Sequence, residues 1–357
     1  MDKRVHKIRE QIKEQRIRQL NERDRCRKKV HVWFGSKTNH MHPVNEALAN
    51  IQDEVVNNFD SGIMETTLDD DDRTITFRDT GRGIPLEQID EETGKPMWEL
   101  LLMTLFAGGK YDEEDEFTTG TNGCGLTVTQ YCSDYFEIIS KRNGNIYRMV
   151  FEDGGLKVSP LEIIGETKET GTTLKFRLSD KVFTNTKINI EDVKKIVERI
   201  CSTTNKITGI VNYKNERQVY HFNSMNEYFE KYSKGLKSSV LEGAVKEYET
   251  KFVDMEEGEE KTEISRIQVI FASTSEEPFQ ETFLNSTYLP QRGTIYDGVV
   301  QGMRNYINKH LTDNKMFDNT SYTSLVISIE CSLSPFFSII LIKLLISKPS
   351  TTSSIVA

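Results

Sequence analysis

The sequence lacks the features that would assign it to a membrane, a disulfide framework or a dedicated metal centre. No stretch of its 357 residues approaches the roughly 20 consecutive apolar positions of a bilayer span. The first thirty residues are charged throughout, so a secretory leader is not expected either. Its five cysteines, Cys26, Cys124, Cys132, Cys201 and Cys331, form no CxxC pair and no zinc-ligand spacing, which predicts free thiols in a reducing, intracellular compartment. His40 and His42 make an HxH pair, read as loop residues rather than metal ligands. The four aspartates Asp69 to Asp72 lack the Gly and distal Glu of a calcium loop and read as a solvated hairpin tip.

A composition of 36% hydrophobic and 28% charged residues is that of a soluble globular protein, long enough here for two domains with real cores. The charge is uneven. Residues 1–30 hold twelve Lys/Arg against five Asp/Glu, so this stretch carries +7 and the remainder −16 of the total −9. An acidic body cannot displace counterions from a duplex, which argues against strong autonomous DNA binding and leaves the basic arm to touch DNA or a partner.

Residues 2–28 avoid Gly and Pro and place Val5, Ile8, Ile12 and, after a slip, Ile17 and Leu20 at helical spacing, predicting a basic amphipathic helix. Asn45 to Asn58 reads as a helix, Gly62 to Leu68 and Arg73 to Arg78 as a hairpin, and Met97 to Phe106 as a helix. A Gly-rich loop follows to Gly125, then strands at Tyr135–Ser140, Ile146–Phe151 and Thr172–Leu178. After a charged helical stretch, Asn226 to Glu247, strand patterns resume at Arg266 to Ala272, and Tyr296 to Leu311 reads as a helix. The fold class is α+β, with a second domain starting near residue 235.

Four elements in fixed order carry chemistry. Glu54 and Asn58 lie four apart on one helix face, pairing a carboxylate able to deprotonate water with an amide oxygen able to ligate Mg²⁺. Asp79-Thr80-Gly81-Arg82-Gly83-Ile84-Pro85 follows a strand. Its glycines let a ligand approach the backbone, and the acceptor-only carboxylate of Asp79 suits an exocyclic amino group such as that of adenine. Lys110 leads to Gly120-Thr121-Asn122-Gly123-Cys124-Gly125 and a helix, a phosphate cradle of backbone N–H groups. Thr170-Gly171-Thr172-Thr173 brings a hydroxyl and an amide toward the same pocket. Each alone has an ordinary structural reading, as a surface helix or a turn; their order gives the weight.

Together these elements resemble the GHKL ATPases, in the wording of the type IIA DNA topoisomerases. Arg27 to Ser36 looks like that family's entry segment ending in Gly-Ser, and the GTNGCG wording around Asn122 looks closer to the phage and eukaryotic branch than to the bacterial one. Arg292-Gly293-Thr294-Ile295-Tyr296-Asp297-Gly298 is similar to the family's transducer loop, with Ile295 in place of a usual His. The resemblance covers about residues 24–337. It implies a Bergerat ATPase α/β sandwich followed by a transducer with a left-handed βαβ unit. The implied organisation is an arm at 1–29, an ATPase domain at 30–234, a transducer at 235–338 and an atypical tail at 339–357.

The resemblance further implies ATP and Mg²⁺ as cofactors, Glu54 as general base, Asn58 as Mg²⁺ ligand, and Asp79 as adenine reader beside Thr172. It places Gly81, Gly83, Ile84 and Pro85 around the base, and Lys110, Gly120, Thr121, Asn122, Gly123, Cys124 and Gly125 around the phosphates. The implied function is the ATP-hydrolysing subunit of a topoisomerase, closing a homodimer on ATP binding. Partner chains would supply DNA cleavage, the metal-binding domain and contact with duplex DNA, with no membrane involved. The expected location is the cytoplasm or nucleoid, and the expected source a phage or mobile element. One departure stands out: Pro335-Phe336-Phe337 is followed by Ser338 to Lys343 rather than the family's Gln-Thr-Lys loop, and the apolar run reads as an exposed, aggregation-prone tail. That departure keeps open an alternative, a nucleotide-binding dimerisation switch with little turnover. A repair ATPase, chaperone or histidine kinase of the same superfamily fits the AGGKYD and RGTIYDG wording less well.

Overall fold

The computed structural model describes residues 20–105, 124–232, 241–242, 246–253, 260–272, 280–284, 287–290, 293–313, 339–346 and 350–351. The chain runs through α1 (Glu22–Lys28), α2 (Val30–Phe34) and the long α3 (His42–Asn58) into the hairpin β1 (Gly62–Leu68) and β2 (Thr74–Asp79). Next come α4 (Met97–Met103), α5 (Gly125–Tyr131), β3 (Ser133–Arg142), β4 (Asn145–Glu152), β5 (Lys157–Val158), β6 (Glu162–Glu166) and β7 (Gly171–Leu178). Then follow α6 (Ile190–Thr203), β8 (Ile207–Tyr213), β9 (Glu216–Tyr220) and α7 (Met225–Tyr232). These nine strands form one sheet in the order β5-β4-β3-β7-β2-β1-β8-β9, with β6 also paired to β4.

Alternation along the strands puts one face of this sheet into the core. Phe136 and Ile138 of β3, Leu174 and Phe176 of β7, and Ile75 and Phe77 of β2 are all buried, and the Phe136 and Phe176 rings stack at 6.4 Å. Helix α3 lies in the same core. Its Val44, Ala47, Leu48, Ile51 and Val55 recur at helical spacing and are buried, while Glu46, Asn50 and Glu54 form a polar stripe alongside. Pro43 opens the helix, where its missing N–H is no loss. Helix α6 starts where Asn189 accepts a hydrogen bond from the Glu191 N–H, with Glu191 and Asp192 in the first turn.

A second, seven-stranded sheet contains β10 (Leu241–Glu242), β11 (Lys246–Val253), β12 (Glu260–Ala272), β13 (Gln280–Leu284) and β14 (Thr287–Tyr288). Helix α8 (Gly293–Asp313) lies in the connection that leads to β15 (Ile339–Ile346), and β16 (Ser350–Thr351) completes the sheet. β15 is antiparallel to β12 and parallel to β13. The two sheets meet at a half-buried ion pair. Arg199 of α6 donates to Glu281 of β13 at 2.7 and 2.8 Å, Tyr228 of α7 donates to the other carboxylate oxygen at 2.8 Å, and Arg199 lies over the Tyr288 ring.

Two readings of the sequence change here. The charged stretch after Asn226 is described as helix to Tyr232, residues 233–240 lie outside the described residues, and 241–242 and 246–253 are the strands β10 and β11, both antiparallel to β12, the next strand in the chain. The apolar run expected as an exposed tail is β15, held by ladder bonds on both sides. An eight-residue apolar run is the length of a doubly paired strand. The helix expected over residues 2–28 is described only from Glu22, and residues 1–19 lie outside the described residues, as do Arg292 and residues 335–338.

Gly171, at the start of β7, has φ +139°, and a Cβ there would stand 2.2 Å from the Asp79 carbonyl oxygen. Gly171→Ala is therefore expected to lower stability by about 2–3 kcal/mol, read as a lower urea midpoint. An unchanged midpoint would mean that the backbone at Asp79 yields freely.

Candidate functional site

A cavity of about 470 Å³ opens between the polar stripe of α3 and the sheet. Its floor is the end of β2. Asp79 is 7% exposed, and its Oδ1 accepts the Gly81 N–H at 2.7 Å and the Thr172 N–H at 3.0 Å. Burial pushes its pKa up to about 6, with the nearby Glu54 charge adding to the rise and the two N–H groups and Arg78 opposing it. At neutral pH the group is therefore mainly a carboxylate, with Oδ2 as its remaining acceptor oxygen.

The turn after Asp79 is pinned to β3. Gly83 has φ +79°, and a Cβ there would meet the Lys141 carbonyl at 2.5 Å. Ser140 Oγ donates to the Ile84 carbonyl at 2.6 Å, and Arg142 donates to the Gly83 carbonyl at 3.0 Å. Ile84, Pro85, Ile51, Leu101 and Leu174 supply apolar wall, and Thr172 lines the cavity beside Asp79. Glu54 also lines this end, where its carboxylate takes three donors from Arg82: the backbone N–H at 2.8 Å, Nε at 3.0 Å and Nη2 at 2.9 Å. Its Cγ would be 2.5 Å from a Cβ on Gly81, which fixes Glu54 against the Asp79 turn.

At the other end stand Gly125, the first residue of α5, and Glu46. A Cβ on Gly125 would fall 2.2 Å from Glu46 Oε2, while Glu46 Oε1 lies 3.1 Å from His42 Nε2. Thr127 Oγ1 donates to the Leu101 carbonyl at 2.9 Å and ties α5 to α4. Cys124 is buried, and desolvation, with Glu46 adding, raises its pKa, so it is held as a thiol.

The expected Glu-Asn pair does not hold together as a site. Asn58 is exposed in the last turn of α3, is not among the residues lining the cavity, and donates its amide to the Glu54 carbonyl at 3.0 Å and to Oε2 at 3.3 Å. Glu46, Asn50, Glu54 and Asn58 sit at successive intervals of four. Each interval rotates about 40° around the helix, so the stripe turns away from the cavity before Asn58. Sequence reasoning did not reach Glu46, Asn50, Arg82 and Arg142, which line the cavity. The available signal was Glu46-Ala-Leu-Ala-Asn50, the same spacing two turns earlier. Gly83, Ile84, Pro85, Gly125 and Thr172 line the cavity, Gly81 and Cys124 are not among the lining residues, and Lys110, Gly120, Thr121, Asn122 and Gly123 lie outside the described residues. Among the described residues no group of three or more His, Cys, Asp or Glu is placed to hold a metal ion, and no helix is long and apolar enough to cross a membrane.

No protein-family model matches the chain. It is similar to the B subunit of the type 2 topoisomerase of Aquifex aeolicus, 36% identical over 160 residues, covering 44% of this chain and 20% of that protein. It is likewise similar to the B subunit of DNA topoisomerase 4 of Bacillus subtilis, 28% identical over 308 residues, covering 83% of this chain and 44% of that one. The chain spans less than half the length of the curated relatives it matches. In fold it is similar to the 43K ATPase domain of Thermus thermophilus gyrase B, solved with an aminocoumarin. The TM-score is 0.62 at 18% identity, over 92% of this chain and 82% of that one. It is also similar to the ATP-binding domain of Francisella tularensis topoisomerase IV, with TM-score 0.62 and 23% identity over 94% and 84% of the two chains. The mixed α/β sandwich with a separate β-rich region is the architecture of these ATPase and transducer-like structures.

Proposed function

From a chain whose sequence and fold both point to the GHKL-fold ATPase subunits of type IIA DNA topoisomerases, the kind found in gyrase and topoisomerase IV, we propose that it binds ATP with magnesium in the cavity beneath α3 and hydrolyses it. The observation that carries this reading is a single cavity with a carboxylate at each end, in different electrostatic settings. Asp79 is buried, with one oxygen saturated by backbone N–H groups and the other left to accept the adenine amino group; Glu46 stands against Gly125, where the Gly-rich stretch re-enters.

Glu46, rather than Glu54, is the proposed general base. Three donors from Arg82 occupy and neutralise the Glu54 carboxylate, and its place against Gly81 sets it at the adenine end. Glu46 meets the imidazole of His42 and lies by the phosphate end, so its role is to hold and deprotonate the attacking water, with His42 orienting it. Asn50, between the two glutamates on the cavity wall, replaces Asn58 as the proposed metal ligand. One neutral amide oxygen fits Mg²⁺, which takes the rest of its shell from phosphate oxygens and water and neutralises phosphate charge when bound. Gly81, Gly83, Ile84, Pro85 and Thr172 are proposed around the base. Lys110, Gly120, Thr121, Asn122, Gly123, Cys124 and Gly125 are proposed around the phosphates.

ATP binding then closes a homodimer that gates DNA passage, in an assembly whose partner chains cleave DNA and supply the metal-binding domain. The proposed units are an arm at 1–29, an ATPase domain at 30–234 and a transducer from 235, extended beyond 338 because β15 and β16 pair within the second sheet. A switch with little turnover is the second reading, favoured by one observation: residues 339–346, where the family's Gln-Thr-Lys loop would fall, are a strand.

The test is ATP turnover with Mg²⁺ across protein concentrations, alongside mass measured with a non-hydrolysable analogue. Turnover that rises faster than linearly, with analogue-dependent dimers, supports the gate ATPase. Dimers without turnover support the switch, and no nucleotide binding overturns both.

A further inference from the structure

The face of the first sheet that is turned away from the core carries a cavity of its own. Met64, Leu68, Ile75 and Phe77 point into the core, so Ile63, Glu65 and Arg78, at the intervening positions of β1 and β2, project to the opposite side. The ladders carry this side across β8 to the edge strand β9: Arg78 is opposed to Glu65, Glu65 lies beside Ile210, and Asn212 is opposed to Arg217. These six residues, with Asp79 and Thr80 at the end of β2, line a cavity of about 310 Å³. That volume is in the range that small organic ligands occupy.

The cavity joins an apolar surface to guanidinium donors that the fold leaves over. Ile63 is 40% exposed, and Ile210 is covered by its neighbours on the same face. Arg217 is exposed and has no hydrogen bond or ion pair among the described residues. Arg78 stands 3.5 Å from Glu65 and 3.7 Å from Glu169, longer than good hydrogen bonds, and Lys141 holds Glu169 more closely, at 2.6 Å. Glu65 is engaged on its other oxygen, where Asn212 donates to Oε1 at 2.9 Å. The Asp79 carboxylate is bound on the far side of the strand by the Gly81 and Thr172 N–H groups. Two cations thus face one satisfied carboxylate, which leaves the cavity short of a single negative charge.

We propose that this cavity is a second ligand site, separate from the nucleotide cavity, for a small organic carboxylate. The apolar body of the ligand lies on Ile63 and Ile210, and its carboxylate takes the donors of Arg217 and Arg78. A guanidinium fork matches the two oxygens of a carboxylate, and a monoanion restores the charge balance. The end of β2 borders both cavities, with the Ile63 N–H donating to Thr80 Oγ1 at 3.0 Å, so the occupant rests behind the Asp79 turn.

A ligand-observed NMR titration of the full chain tests the site, with hydrocinnamate as the probe and hydrocinnamide as its uncharged match. The acid is expected to bind with a Kd on the order of 1 mM, the strength of a fragment of about eleven heavy atoms. The amide should bind at least about tenfold more weakly. Arg217→Gln is expected to weaken the acid about tenfold at an unchanged urea midpoint, since this side chain is exposed and unpaired among the described residues. The acid should bind equally well beside a saturating non-hydrolysable ATP analogue, and a chain that failed to bind the analogue would leave these expectations in force. Equal binding of acid and amide would overturn the proposal, as would equal binding by wild type and Arg217→Gln. No response at about 10 mM acid would do the same, and so would displacement of the acid by the analogue, which would put it in the cavity beneath α3.

Discussion

Glu46→Gln is expected to lower ATP turnover by about 10²–10⁴-fold while ATP affinity changes only a few-fold. The substitution keeps the shape beside Gly125 and His42 but removes the group able to take a proton from water. Glu54→Gln is expected to behave differently. It weakens a pair whose Arg82 side chain is 60% exposed, worth about 0–1 kcal/mol to the fold. Its effect should fall on the Asp79 turn, and so on KM more than on kcat. Single-turnover rates measured beside nucleotide-binding curves separate the two. If Glu54→Gln abolished the chemical step and Glu46→Gln spared it, the base would be the downstream glutamate despite its ion pair.

The difficulty in choosing between those glutamates shows where the sequence was readable and where it was not. The turn from Asp79 to Pro85 was legible because its constraint is local: glycines at 81 and 83 stand where a Cβ would strike Glu54 or the Lys141 carbonyl, and such positions leave a mark in composition. Helix α3 was legible as a helix for the same kind of reason. Its functional register was not, since the Glu-Asn spacing recurs along one stripe, and only the sheet beneath decides which turn faces the cavity. Arg82 reads in the sequence as no more than part of a turn, yet it engages Glu54 across 28 positions. The run Ile339–Ile346 lacked alternation and sat in an unfamiliar context. Its meaning as a strand comes from β12 and β13, which lie 55 residues or more away in sequence. Local rules thus reached the turn and the helix, while pairing partners distant in the chain decided the rest.

Asp79→Asn is expected to weaken ATP binding by about 30- to 150-fold, the equivalent of about 2–3 kcal/mol for a charge-assisted hydrogen bond turned into a donor facing a donor. The fold should not suffer. Oδ1 of Asn can still accept the Gly81 and Thr172 N–H groups, and the amide carries no charge to desolvate. The folded pKa of Asp79, about 6, lies above the roughly 3.9 of an unfolded aspartate, so its contribution to stability is fully present below about pH 4 and lost as pH rises through 6. Above that, keeping the buried carboxylate ionised costs on the order of 3 kcal/mol. The variant should therefore gain stability over wild type as pH rises from about 4 to 7, then hold a constant margin, as followed by urea melts at each pH. Nucleotide binding by the wild type should fall over the same window as pH is lowered, since the protonated acid no longer offers the adenine amino group a charged acceptor. A variant that bound ATP like wild type would remove Asp79 from the adenine site, and a margin independent of pH would show that burial of its charge is not what sets its pKa.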